Sequence, residues 1–442
     1  MGLIYTRSAV LLLAALVAGC GGGSGSVSNP SGNVAPAPTP TPTSTSTAAV
    51  FAAGGTGPLM GTIAFDANGN GFAEASETFA VTDQSGRAGS AITGLAAGNG
   101  SVPTGADARL LASGGDGATG FFVGGLTAPK GATVISPLTT LIDKVGDQAL
   151  VRQALGLSTG RFPVRATTDL LTFPAAQRLG DADPAVAADA AAITAVNFRL
   201  LALLQVASRL PVSPDDSSSL GPEAWGWMAD YIRSARNADF TDRNFVESLL
   251  NEARSSSYYG PEAARTAAQL FVRFMRITPT TMADAATVYR YTLGFRFFAQ
   301  ANINAAFSGS PATGLDRLNA ITDADMSAAV ARFADTPRPV VDGQPYALPD
   351  YIETNGRGDF AAERFLRNDA GRVPWTTRNV PKALTGISVD PRFAGIVSVV
   401  RSDGGGVTVI PAGGYIGPVW FDYTARIDDV ATTARVHVNI SR

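Results

Sequence analysis

The chain has 442 residues, of which 45% are apolar and 16% charged, with a net charge of −3. It can bury a sizeable core, and at about 150 residues per domain its length suits two to four domains. It carries no basic footprint, which excludes nucleic acid as a partner. The 48 glycines and 27 prolines favour turns and linkers over one helical body.

The scarcest residues limit the chemistry. Cys20 is the only cysteine and His437 the only histidine. No disulfide can form within the chain, and no Cys/His zinc site can be assembled. Nucleophilic catalysis with a histidine base would have to use His437. That residue lies in the alternating run ARVHVNI, which reads as a strand with the imidazole facing solvent. Hydrolysis is then left to carboxylates.

Residues 1–20 open with one early positive charge, Arg7, followed by the apolar stretch Ala9 to Ala18. The stretch is too short to span a bilayer and has the layout of a secretory signal. It ends Val17-Ala18-Gly19-Cys20, which resembles the lipobox of bacterial lipoproteins. That resemblance implies cleavage before Cys20, a diacylglycerol thioether on its sulfur and an N-acyl chain such as palmitate. Two or more acyl chains anchor a protein stably. In the Gram-negative family an aspartate after the cysteine retains the protein at the inner membrane. Gly21 here implies the outer membrane, with the folded part periplasmic or surface-exposed. Residues 21–56 form a Gly/Ser then Pro/Thr-rich tether that cannot bury a core.

Residues 57–136 read as a β-sandwich module. Gly61–Phe65 and Thr78–Thr82 are short strands, and a third runs towards Ile92. Between the first two lies DANGNGFAEASE, which fits D-x-[DN]-x-[DN]-G-x₅-E at Asp66, Asn68, Asn70, Gly71 and Glu77. Alternate side chains on such a curve converge on the six to eight oxygens that Ca²⁺ takes. Phe72 would add its carbonyl, Glu74 a water-mediated contact and Glu77 a bidentate carboxylate. With only three carboxylates the affinity would be about 10⁻⁴ to 10⁻³ M. An Asn/Gly-rich hairpin turn that binds nothing is the competing reading.

The stretch FDANGNGFAEASETFAVTDQSG resembles the prealbumin-like and SdrD-B-type β-modules of bacterial surface proteins. The resemblance implies a sandwich and, through its D-x-N-x-N-G loop, calcium. The module runs into a helix at Pro137 with Ser136 as N-cap.

Residues 137–335 change to a helical period. Helices are expected over 137–155, 185–210, 222–236, 241–256, 261–277, 281–307 and 323–334, several opening at Pro with a nearby carboxylate, and Thr241 and Thr322 are candidate caps. The apolar run 185–210 reads as a buried bundle helix, because Asp189, Asn197, Arg199 and Gln205 are costly in lipid. Trp225, Trp227, Tyr258 and Tyr259 form either a ligand groove or, better, an aromatic core. Glu223, Glu247, Glu252 and Glu262 are the carboxylates a glycan-cleaving mechanism could draw on, and their spacing identifies no pair.

Residues 336–358 read as a linker, and 359–442 as a second sandwich. Arg367-Asn368-Asp369, the run Val407 to Pro411, Val419 to Tyr423 and the last strand Ala434–Ile440 resemble cadherin-like, immunoglobulin-type domains of bacterial surface proteins. That resemblance implies a spacer or adhesive unit.

The expected architecture is thus multi-domain α+β: a β-sandwich, an all-α region and an immunoglobulin- or cadherin-like sandwich. The leading functional expectation is a lipid-anchored, non-enzymatic envelope protein with a weak Ca²⁺ loop. It would bind a surface protein or glycan, or serve structurally. The alternatives are an envelope glycan-acting enzyme using helical-region carboxylates, and a periplasmic scaffold or assembly lipoprotein.

Overall fold

The structure, a computed structural model, describes residues 49–441 except 75, 92–107, 158–159, 209–221, 255–260, 309–310, 340–343, 370–380 and 403. Cys20, the signal and most of the tether lie outside the described residues. The chain divides into Met1–Ser46 and Thr47–Arg442. The second unit mixes helices and sheets.

Its first sheet has strands β2 (Leu59–Asp66), β3 (Thr78–Thr82), β4 (Ala88–Ala91), β5 (Arg109–Asp116) and β6 (Phe122–Ala128) in the order β4-β3-β2-β5-β6. All its pairings are antiparallel. A two-stranded parallel pair joins β1 (Phe51–Ala52) to β7 (Val134–Ile135). Where the sequence leads one to expect two facing sheets over 57–136, the described residues form one five-stranded sheet. Helix α1 (Pro137–Val145) stands against it instead. The Thr140 side chain accepts from Thr127 N at 2.9 Å and donates to Thr127 O at 3.0 Å. Phe65, Leu110 and Leu126 of the sheet belong to the same apolar core as Leu138 and Leu141 of the helix.

The helices start where their caps direct. Ser136 caps α1 with a reciprocal capping box through Thr139, and Pro137 fills the first turn. The run expected over 137–155 is broken: Gly146 ends α1 at φ 79°, and Asp147 caps α2 (Gln148–Leu155) by accepting from Ala149 N and Leu150 N. The helix α3 (Pro184–Ser208) is the one described helix long and apolar enough to cross a membrane, yet 94% of its most apolar window is buried in the protein. On it pack α4 (Pro222–Ala235), α5 (Arg243–Arg254) and α7 (Ala285–Gly294), and α6 (Pro261–Ile277) packs in turn on α5. The stretch expected as one helix over 281–307 passes through a π-helical turn, Phe295–Gln300, before α8 (Ala301–Ser308). Then follow α9 (Pro311–Ala320), which the sequence reading missed, and α10 (Asp323–Arg332), capped by Thr322.

The C-terminal strands form two sheets. One has the order β10 (Lys382–Val389), β13 (Gly417–Ile427), β14 (Val430–Ile440), β8 (Asp350–Thr354). The other has the order β11 (Val397–Arg401), β12 (Val407–Pro411), β9 (Gly358–Phe360). Both contribute to one apolar core around Phe365, Val409, Phe421 and Val436, with the short helix α11 (Glu363–Leu366) at its side. An aromatic cluster of Phe121, Tyr289, Phe297, Phe333, Tyr346 and Tyr351 draws on the first sheet's β5–β6 turn, the helices and the C-terminal entry alike.

His437 does not face solvent. It is 1% exposed. Strand β14 lies between β13 and β8, and the stretch after α10 covers its outer side. Phe333 meets the imidazole edge-on at 4.5 Å, and Thr336 Oγ1 lies 3.0 Å from Nε2. Burial pushes its pKa well below the usual histidine range, so the ring is neutral.

Candidate functional site

The loop between β2 and β3 is closed by its own hydrogen bonds. Asp66 is buried where β2 ends, and its carboxylate accepts from Asn70 N at 3.1 Å and Gly71 N at 2.8 Å. Asn68 Oδ1 accepts from Asn70 N at 2.9 Å, and Asn70 Oδ1 from Phe72 N at 2.8 Å. Glu77, also buried, accepts from Ala67 N and Glu74 N, both at 3.2 Å. Glu74 takes the side-chain amides of Asn68 at 3.0 Å and Asn70 at 2.8 Å. Gly71 sits at φ 83°, where a Cβ would lie 3.1 Å from Arg109 Nη1, so both backbone and space ask for glycine.

The four oxygen-bearing side chains named by the motif, Asp66, Asn68, Asn70 and Glu77, are therefore brought onto one turn together with Glu74. The described residues contain no group of three or more His, Cys, Asp or Glu arranged to hold a metal ion. The chemistry of the donors suits a hard cation, but every carboxylate already serves loop N–H groups. Ion binding has to exchange the Glu74–amide bonds for metal contacts, which is a cost that lowers affinity.

Phe72 projects from this turn and is 72% exposed, the most exposed of the large apolar side chains described. Beside it opens a cleft of about 420 Å³. Its walls are the turn residues Asn70 to Ala73, Phe79 and Leu111 of the sheet, and Lys144 and Trp225 of the helices. Arg109 crosses one side. Its Nε and Nη2 donate to Asp143 Oδ2 at 3.1 and 2.5 Å, and Thr127 Oγ1 donates to the same oxygen at 2.6 Å. The site thus offers an exposed aromatic, the Asn70 amide and the Lys144 ammonium around an apolar floor, which is the make-up of a binding cleft.

Other candidates behave as structure. Trp225 is buried in the helical core, Trp227 packs partly against it, and Tyr258 and Tyr259 lie outside the described residues. Glu247 pairs with Arg243 at 3.5 Å and Arg265 at 3.4 Å rather than with a second carboxyl. The sequence reading missed the cleft because its walls come from four strands and two helices far apart in the chain.

No protein-family model matches the chain, and a search of curated proteins returns no match. Function has to be read from the chemistry of the residues themselves.

Proposed function

We propose that this chain is a lipid-anchored protein of the bacterial envelope, held at the outer membrane through Cys20, that binds a surface glycan without transforming it. The observation that carries this reading is Phe72. The loop's hydrogen bonds hold a large apolar side chain in water at the mouth of a cleft, where an unliganded protein gains nothing from it. A sugar ring offers an apolar face for Phe72 and hydroxyls for the Asn70 amide and Lys144. Calcium, in this reading, stiffens the Asp66–Glu77 turn that presents the ring. The C-terminal pair of sheets is a cadherin-like or immunoglobulin-type spacer.

The test uses the mature full chain. Mass spectrometry of its amino terminus is expected to find acylated Cys20. Calorimetry against envelope oligosaccharides is expected to give binding that Phe72→Ala weakens at least tenfold and millimolar Ca²⁺ strengthens. An unmodified terminus removes the anchor from the reading. Binding untouched by Phe72→Ala removes the cleft, and released sugar products would make the protein an enzyme.

A further inference from the structure

We propose that Asp350, Asn368 and Asp369 form a second, buried site for a divalent cation of the calcium class. Asp350 opens β8, and Asn368 and Asp369 follow α11. Asp350 and Asp369 are 0% exposed and Asn368 is 3% exposed. Short contacts lace the two segments together. Leu348 N donates to Asp369 Oδ1 at 2.8 Å, and Asn368 Nδ2 donates to Pro349 O at 3.2 Å. The Tyr423 hydroxyl of β13 donates to Asp369 Oδ1 at 2.7 Å, with Leu348 O and Phe365 O at 3.1 and 3.2 Å.

What remains is a surplus of acceptors. Asp350 Oδ1 and Oδ2, Asp369 Oδ2 and Asn368 Oδ1 are all buried and none has a partner in full hydrogen-bond geometry, although the Asn368 amide and the Tyr423 hydroxyl lie close enough to Asp350 to favour its charged form. Buried polar atoms are nearly always paired, so four oxygens short of a partner in one place need an account. The Asn368 amide oxygen is the decisive one, because no proton can be added to it to make it a donor. Lys382 does not fill the gap: its Nζ donates to the backbone oxygens of Leu366 at 2.9 Å and Asp369 at 2.6 Å.

Two species could be shared by the carboxyls. A proton on Asp350 donated to Asp369 Oδ2 would still leave an Asp350 oxygen and Asn368 Oδ1 unpaired. A divalent cation could take all four oxygens, and with the Lys382 ammonium beside Asp369 it would offset the charge of the two carboxylates. An all-oxygen donor set selects a hard cation, and a dry site favours Ca²⁺ over Mg²⁺, which gives up its waters reluctantly. Without the ion, burial pushes the Asp350 carboxyl far above its usual range and that of Asp369 up to about 7, which is the penalty a cation would relieve.

The test uses the full chain carrying Asp66→Ala, so that the β2–β3 loop is silent. Calcium added after chelation is expected to raise the melting temperature by several degrees, and Mg²⁺ by much less. Elemental analysis is expected to find one calcium per chain. Terbium in its place is expected to luminesce through Tyr423, and Tyr423→Phe to dim that signal. Adding Asp350→Asn, which keeps the volume and removes a buried charge, is expected to abolish the metal and the shift while the chain stays folded. If Asp350→Asn does not fold, Asp369→Asn is read for bound metal in the same way. Loss of all calcium binding on Asp66→Ala alone would overturn the site. So would a melting temperature that ignores calcium yet rises from pH 7 to pH 5, the behaviour of a shared proton.

Discussion

Replacing Asp143 by Ala should weaken the fastening of the first sheet to its helix, which the Thr140–Thr127 bonds and the shared core still hold. Asp143 Oδ2 accepts from Arg109 Nε, Arg109 Nη2 and Thr127 Oγ1, so one residue of α1 ties β5 to β6. The Asp143 side chain is 9% exposed and that of Arg109 21%. Charge-assisted hydrogen bonds contribute about 1.5–3 kcal/mol each, and a partner left buried and unpaired adds its own penalty. Arg109 regains part of its hydration through its exposed fraction, so the net loss should be about 2–4 kcal/mol. Asp230→Ala is the control, since the Asp230–Arg233 pair is open to solvent and should contribute under about 0.5 kcal/mol. Urea unfolding of the two variants and the parent, followed by tryptophan fluorescence, measures this as a change in midpoint at constant m. A loss for Asp143→Ala no larger than that of Asp230→Ala would refute the view that this carboxylate fastens the sheet.

Three more outcomes follow from the same geometry. Asp369, with a folded pKa raised to about 7, stabilises the fold below its unfolded value near 4. That contribution is lost as pH rises from the unfolded value towards 7, and it is shared with Lys382, whose ammonium sits beside Asp369. Urea midpoints at pH 5 to 8 in chelator should fall with pH, and calcium should flatten the slope. His437 works in the opposite sense: its folded pKa is depressed, so its contribution is present above about 6.5 and lost as pH falls below it. His437→Gln should remove that acid-side loss alone. Gly71→Ala should cost at least about 1 kcal/mol, because it demands φ 83° of an L-residue against Arg109, and thermal melts in chelator and in calcium should both register it.

Local rules made the helix starts legible. Ser136 before Pro137, and Thr322 before a carboxylate at Asp325, announce their helices because a cap needs only its own neighbours. The misses are those of distance. The run over 281–307 keeps a helical period, yet it is interrupted by a π-turn where Gly294 packs against Val330; a Cβ there would lie 2.8 Å from that side chain. Strand β8 hides behind Pro345 and Pro349 and pairs parallel to β14, more than 80 residues later. His437 alternates as a surface strand residue should, and Phe333 and Thr336, about a hundred positions earlier, help to bury it beside Trp420.

The two carboxylate clusters place their oxygens in different circumstances. DANGNGFAEASE matches a calcium pattern at every specified position, but alternate oxygens on a tight turn also satisfy the turn's own N–H groups. That is how Asp66, Asn68, Asn70 and Glu77 are spent here. The pattern identifies residues that can converge; it does not say on what. Arg367-Asn368-Asp369 enters the sequence reading only as part of a domain resemblance, and Asp350 lies eighteen positions before Asn368 among prolines. Only the fold sets them against one another inside a core lined by Phe365 and Tyr423, where water cannot repair a missing donor. Affinity for a cation should follow the deficit rather than the motif. The buried cluster gains partners for four oxygens when an ion enters, whereas the loop must first give up bonds it already has. Calcium should accordingly fill the Asp350 site at concentrations that leave the Asp66 loop hydrogen-bonded to itself. Titrating Asp66→Ala and Asp350→Asn side by side would reveal this order, and a tighter site in the Asp350→Asn chain would reverse it.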